Sequence, residues 1–230
     1  MKNVFLLLAI TIFSLSCSKD DDNTIVYKVD EIVAGYSMAD LQAEFNKWIF
    51  GKSIAASPLS DEDGSLHTPQ PLQNIVMLSP NLGGKTTRKL TLSSDKILYI
   101  PVMGFTIWYY KNDPCDPDWI PANGQSELDF LKGESAGFLE TSSDVSLTLN
   151  GVNVVDDIKK YKVVSNQVFS FSVHNDWNNP DCDYIGKSAI GYAEDYSVCL
   201  KLPKGTHTIV AKGKFEPDLD QDITWILTVN

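Results

Sequence analysis

The fold is decided by Tyr196-Ser197-Val198-Cys199-Leu200-Lys201-Leu202-Pro203-Lys204-Gly205-Thr206-His207-Thr208-Ile209-Val210-Ala211. Its first half alternates, which places Val198, Leu200 and Leu202 on one face of a strand and Cys199 on the other. The residues 203–205 indicate a turn, and 207–211 read as a second strand. Together with 223–229, these segments predict a meander of the kind that closes a β-sandwich.

Short strand patterns recur through the rest of the chain, at 74–78, 88–92, 96–102, 105–110, 145–149, 161–164 and 168–173. Asn150-Gly151 is a strong hairpin dipeptide. One helix is predicted at 37–51, with a serine cap and a glycine at its end, and another at 126–138. The predicted fold class is mainly β, a β-sandwich or jelly-roll-like body with one or two short helices, in a single β-rich domain at 31–230.

The first residues have the parts of a bacterial lipoprotein leader. Lys2 precedes an almost entirely apolar run over 4–13, and Leu15-Ser16 stand directly before Cys17. The run is shorter than the about 20 apolar residues that a membrane-spanning helix needs. We predict a signal peptide at 1–16 and lipidation of Cys17, and the alternative is a plain secretory leader.

The residues after Cys17 predict where the protein is located. Ser18-Lys19-Asp20-Asp21-Asp22 resembles the acidic tag that sends lipoproteins of one large Gram-negative group to the outer leaflet of the outer membrane. We therefore expect an acidic tether at 17–30 that holds the protein at the cell surface. Several acyl chains make such anchoring stable.

The charge of the chain disfavours one class of partner. The formal net charge is −11, and Arg88 is the only arginine. A polyanion would be repelled by this charge, and no guanidinium cluster exists to bind phosphates. We expect no nucleic-acid partner, and the only membrane contact that we expect is the lipid anchor.

Several motifs are similar to those of an uncharacterised family of secreted bacterial proteins. They are the helix with Trp48, Ser57-Pro58-Leu59-x-Asp61-x-x-Gly64, Gln70, Gly83-Gly84, Arg88, Lys96-Ile97-Leu98-Tyr99-Ile100-Pro101-Val102 and Gly205-x-His207-Thr208-Ile209. They resemble the family's tryptophan-rich helix and its patterns R-x-C-x-I-P-x-G-K-x-L-F-F-P-V and P-G-x-H-T-I. The resemblance covers about half of the chain, and it implies secretion and a shared fold but no activity.

The cysteines suggest an oxidising compartment. With Cys17 assigned to the lipid, three cysteines remain, and at most one pair can form. Cys115 and Cys182 lie in turn-like acidic stretches, whereas Cys199 lies in a strand pattern. We predict a Cys115–Cys182 disulfide, although spacing alone leaves the other pairings open.

The two cysteine loops carry many carboxylates. If the disulfide forms, these acids crowd one end of the molecule, and a hard cation with oxygen ligands would relieve their repulsion. Calcium is therefore one hypothesis, and a solvated acidic loop without metal is the other. The candidate ligands are Asp113, Asp116, Asp118, Asp181 and Asp183.

Aromatic residues accompany these acids, and the ligand-binding candidates are Trp119, Trp177 and Tyr184. Rings that stack on a sugar beside acids that accept hydroxyl hydrogen bonds are a common way to hold glycans. Glycan binding is the leading hypothesis. The alternative is a structural or interaction component of the cell envelope, because exposed aromatics serve protein interfaces equally well.

A secreted hydrolase is the less favoured third class. The one Gly-x-Ser-x-Gly match, at 133–137, falls within the predicted second helix rather than on the strand-to-helix turn that such a nucleophile needs. Its three histidines, His67, His174 and His207, form no sequence pair with metal-ligand spacing. We assign no catalytic residue.

Overall fold

The computed structural model describes residues 23–215, 217 and 219–230. The predicted signal peptide at 1–16, Cys17 and the first part of the tether lie outside the described residues. Within the described part of the chain, no helix has both the length and the apolar character needed to cross a membrane.

The described residues form eleven strands and two α-helices, which are numbered here in chain order. The helices are α1 (Met38–Phe50) and α2 (Glu127–Glu134). The strands are β1 (Ile25–Val26), β2 (Ile75–Met77), β3 (Gly84–Leu92), β4 (Ile97–Tyr109), β5 (Ser143–Leu149), β6 (Val152–Asn153), β7 (Lys162–Val164), β8 (Phe169–Phe171), β9 (Ala189–Lys201), β10 (Gly205–Phe215) and β11 (Leu219–Val229).

The strands form two sheets, as expected for a β-sandwich. The helix-covered sheet has the order β1-β9-β4-β2, and β7 and β8 also pair with β9. The solvent-facing sheet has the order β3-β11-β10-β5-β6. Side chains from both sheets fill the layer between them, among them Ile100, Val198, Ile209 and Trp225. The predicted fold class, a mainly β sandwich with short helices, is confirmed.

Strand β9 is the centre of the molecule because it is buried on both faces. Val198 and Leu200 point into the layer between the sheets, whereas Cys199 packs with the residues under α1. The alternation predicted for this segment is therefore confirmed. The predicted meander is only partly right, since β10 pairs with β11 and not with β9. The turn at 203–205 carries the chain from one sheet to the other.

Helix α1 covers the outer face of the helix-covered sheet. Ser37 caps it, and Asp40 completes a capping box by accepting the backbone N–H of Ser37. Leu41, Phe45 and Trp48 point inward onto the sheet. Truncating a buried ring such as Phe45 to alanine typically costs about 3–5 kcal/mol, so this side of the helix fixes its position.

Two local predictions differ from the structure in extent. The second helix ends at Glu134, with Ser135 as its C-cap, rather than at 138. Gly137, with φ +80°, has a left-handed conformation and lies beyond the helix. The strands predicted at 96–102 and 105–110 are one strand, β4, with a bulge between Pro101 and Met103. The hairpin at Asn150-Gly151 is present, and both residues have positive φ.

Candidate functional site

The predicted disulfide is present between the two acidic loops. Cys115 and Cys182 are bonded, with their Cα atoms 6.1 Å apart. Cys199 is a free, buried cysteine in β9. Burial raises the pKa of its thiol to about 12, so this residue is an inert core side chain rather than a nucleophile.

The aspartates of these loops are engaged separately rather than gathered. Asp113 pairs with Lys187 at 2.5 Å. Asp116 accepts hydrogen bonds from the backbone N–H of Tyr110 and the hydroxyl of Tyr184. The other three candidates are exposed: Asp118, Asp181 and Asp183. In the described part of the chain, no three His, Cys, Asp or Glu side chains come together in a way that could hold a metal ion. These described aspartates therefore do not form the cluster of oxygen ligands that the calcium hypothesis requires.

The three predicted ligand-binding aromatics lie in different environments. Trp119 packs edge-on against Phe130 of α2, with ring centroids 4.9 Å apart. Tyr184 is buried and stacks on Tyr110 at 4.1 Å, so its ring is not available to a ligand. Trp177 is half-buried, and its indole N–H donates to the carbonyl of Lys52 at 2.7 Å. The disulfide therefore does not bring these rings into one cleft.

Trp177 instead lines a pocket at the edge of the helix-covered sheet. The pocket has a volume of about 230 Å³ and lies between α1, β4 and the first residues of β11. Its walls are mostly apolar and include the rings of Phe50 and Phe105. Leu82, which is 53% exposed, also lines the pocket. The pocket is therefore reached from the surface.

The polar groups of the pocket hold its walls together. Thr106 of β4 donates to the side-chain oxygen of Asn46 at 2.5 Å, which ties the strand to α1. Gln221 of β11 donates its side-chain N–H to the carbonyl of Val102, next to the β4 bulge. The pocket is therefore built where the two sheets and the helix meet, and the connection that carries Leu82 completes its wall.

Asp195 is the charged residue of the pocket lining. It lies on β9 and is 5% exposed. Its carboxylate accepts hydrogen bonds from the hydroxyl of Ser197 at 2.6 Å and, weakly, from the hydroxyl of Tyr99 at 3.4 Å. Burial raises the pKa of this carboxyl to about 6, although these hydrogen bonds oppose the rise. A buried acid with a shifted pKa beside a cleft is typical of functional sites.

Glu194 precedes Asp195 but faces the opposite side of β9. Its carboxylate lies 2.7 Å from the ammonium group of Lys162 and accepts a hydrogen bond from the hydroxyl of Tyr192. Glu194 is therefore a paired acid that does not line the pocket. The two neighbouring acids differ because successive residues of a strand point to opposite faces.

A second polar cluster resembles a hydrolase triad in geometry, but its serine is closed to solvent. The Nδ1 atom of His67 lies 2.6 Å from Asp61, and its Nε2 atom lies 3.1 Å from the hydroxyl of Ser79. All three residues are at most 2% exposed. Ser79 donates its hydroxyl to the carbonyl of Pro58 at 2.7 Å, and its backbone N–H points at Nε2. A substrate cannot reach this serine, so the cluster is structural.

Arg88 completes this buried cluster. Its guanidinium donates to the backbone carbonyls of Asp61 and Ser79 at 2.7 and 2.8 Å. Burial lowers the pKa of Arg88 to about 10, and the charge of Asp61 opposes this. For Asp61, hydrogen bonds from His67 and two backbone N–H groups outweigh burial and lower its pKa. Asp61 and Arg88, two polar residues of the sequence motifs, therefore have a folding role.

Sequence reasoning missed the pocket because its residues come from distant segments. Asp195 follows another acid, Glu194, and acidic residues are depleted in strands. This pair therefore did not indicate a buried strand. The one available signal was the apolar and aromatic run around it, Ala189 to Tyr196. Trp177 was the only predicted ligand-binding residue that the structure places in the pocket.

Comparison of the chain with protein-family models, with curated proteins and with solved structures gives no match. Function must therefore be argued from the geometry of the site.

Proposed function

We propose that this protein is a lipid-anchored lipoprotein of the outer-membrane surface that binds a small extracellular ligand in the pocket beside Asp195. The observation that carries the proposal is the pocket itself, an apolar cavity of about 230 Å³ with a buried acid in its wall. Small-molecule sites usually combine apolar walls with a few polar groups that fix the orientation of the ligand. The leader at 1–16 and Cys17 support the location.

The rigidity of the walls also supports a binding role. Phe50 contacts both Trp108 and Trp177, with ring centroids 4.9 and 5.2 Å apart. Trp177 is held in place by its hydrogen bond to Lys52. A ligand that enters this site therefore loses little free energy to ordering of the protein, which is the advantage of a preorganised pocket.

The test is binding of an uncharged fluorescent probe, N-phenyl-1-naphthylamine, to the purified protein. We expect a saturable increase in probe fluorescence that is lost when the larger ring of Leu82→Trp blocks the pocket. Ile185→Trp is the matched control, because Ile185 is 77% exposed and does not line this pocket. Binding that Leu82→Trp and Ile185→Trp leave equally strong would refute the proposal.

A glycan is the second candidate ligand, and the position of Trp177 favours it. The half-buried ring of Trp177 lines the pocket. Indole rings of this kind stack on the apolar face of a sugar. On a glycan array, we expect Trp177→Ala to abolish any binding and Trp119→Ala to leave it intact. Binding that depends on Trp119 instead would place the glycan outside the pocket.

A further inference from the structure

Asp195 is a buried acid without a cationic partner. Its hydrogen-bond donors are all neutral, namely the hydroxyls of Ser197 and Tyr99 and the side-chain amide of Gln42. Among the described residues that line the pocket, Asp195 is the only charged one. An ionised carboxylate in an apolar environment is costly unless a positive charge compensates it. The pocket therefore has a negative charge that the described lining does not neutralise.

The adjacent acid shows that the fold can neutralise such a charge. Glu194 lies at 2.7 Å from Lys162, and Lys162 also pairs with Glu140 at 2.6 Å. These groups lie on the other face of β9 from Asp195. The chain thus supplies a lysine to one acid of the pair and leaves the other facing the pocket.

The walls around Asp195 suit a cation with an apolar body. The rings of Phe50, Phe105 and Trp177 line the same pocket, and aromatic faces attract ammonium groups. The volume of about 230 Å³ is smaller than the about 300–1,000 Å³ of pockets that hold drug-sized ligands. The ligand must therefore be small.

We infer that the pocket binds a small primary amine whose ammonium group pairs with Asp195 and whose apolar body contacts the aromatic walls. This inference rests on the proposed ligand-binding function and names its ligand class. The site differs from a metal centre, since no group of three or more candidate metal ligands occurs in the described residues. An anionic ligand is disfavoured because its negative charge would repel the carboxylate of Asp195, and little water is present to screen this repulsion.

The experiment compares three ligands of similar shape and different charge. 2-Phenylethylamine, 2-phenylethanol and 3-phenylpropionate each compete with N-phenyl-1-naphthylamine for the purified protein near neutral pH. We expect the amine to bind about tenfold or more tightly than the alcohol, as a charge-assisted hydrogen bond would give. The carboxylate is expected to be the weakest competitor.

Two variants separate the role of Asp195 from general effects of charge. Asp195→Asn keeps the shape of the side chain, and we expect it to make the amine and the alcohol equally good competitors. Glu194→Gln removes one negative charge at the next residue but outside the pocket, and we expect the preference for the amine to remain.

The outcomes distinguish the inference from the proposed function. If the probe binds in the pocket but the wild-type protein does not prefer the amine, the inference is overturned and the ligand-binding function stands. A preference that Asp195→Asn retains also overturns it. If neither the probe nor any of the three ligands binds, the proposed function itself fails. The comparison on the wild-type protein remains decisive even if Asp195→Asn does not fold.

Discussion

Replacing Asp195 with asparagine should stabilise the protein at neutral pH. Burial raises the pKa of the Asp195 carboxyl from its ordinary 3.8 to about 6. The folded protein therefore holds this proton more tightly than the unfolded chain. By linkage, the contribution of Asp195 to stability is greatest below about pH 4 and falls as the pH rises through about 6.

The magnitude follows from the size of this pKa change. One pKa unit corresponds to about 1.4 kcal/mol, so the rise from 3.8 to about 6 corresponds to about 3 kcal/mol. Asparagine has no carboxylate to desolvate. We therefore expect the free energy of unfolding of Asp195→Asn, relative to wild type, to increase by about 3 kcal/mol between about pH 4 and about pH 8.

The assay is urea unfolding of both proteins across this pH range. Other titrating groups, among them Asp61 and His67, are common to both proteins and cancel in the difference. The ionisable groups near Asp195 are Tyr99 on β4 and Cys199 and Glu194 on β9, and burial raises the pKa values of Tyr99 and Cys199 above their ordinary alkaline values. A difference in the free energy of unfolding that does not change with pH, or that changes in the opposite direction, would refute the reasoning.

Carbon-13 NMR of the Asp195 carboxyl gives an independent check of its pKa. Ser197→Ala should raise the pKa of Asp195 further, because it removes a hydrogen bond to the carboxylate.

Three further predictions test other parts of the structure. The double variant Cys115→Ser/Cys182→Ser removes a disulfide that joins residues 67 positions apart. Its free energy of unfolding in urea should fall by about 4 kcal/mol. An unchanged urea midpoint would show that the disulfide does not constrain the unfolded chain. Arg88→Leu leaves buried carbonyls without their donors and should lower the free energy of unfolding by about 3–5 kcal/mol. The control is Lys89→Leu, because Lys89 is an exposed neighbour and its replacement should change this free energy little. Cys17→Ala should abolish metabolic labelling of the protein with a palmitate analogue, and labelling that persists would contradict the predicted anchor.

The fold class was predictable because it depends on patterns that occur within single segments. The alternation at 198–202, the Asn150-Gly151 dipeptide and the capping box at Ser37 each act over a few residues, and each is present in the structure. The sheet to which a strand belongs is a different question. The residues of 203–205 indicate a turn, but they do not say whether the next strand pairs with the last one or crosses to the second sheet.

The partners of buried polar residues were also beyond the reach of local patterns. Asp61, His67 and Ser79 are separated by 6 and 12 residues, and Arg88 comes from β3. Their proximity depends on how the irregular segment after α1 packs against the sandwich. The motif Ser57-Pro58-Leu59 could therefore be recognised in the sequence, but its role as a source of carbonyl acceptors for the Arg88 and Ser79 side chains could not.

The acidic pair in β9 shows how a local rule can be correct and still hide a site. Two adjacent acids favour exposed backbone over a central strand, and that preference conflicts with the observed burial of both residues. The negative charge of Glu194 is neutralised by the ammonium group of Lys162. Such an ion pair within the chain is what stability alone would favour. Asp195 has only neutral donors at its carboxylate, so the folded chain bears a cost there that asparagine would avoid. Sequences conflict with their own fold mainly at functional positions, and this unresolved charge at a pocket wall is the physical reason to look for a cationic ligand there.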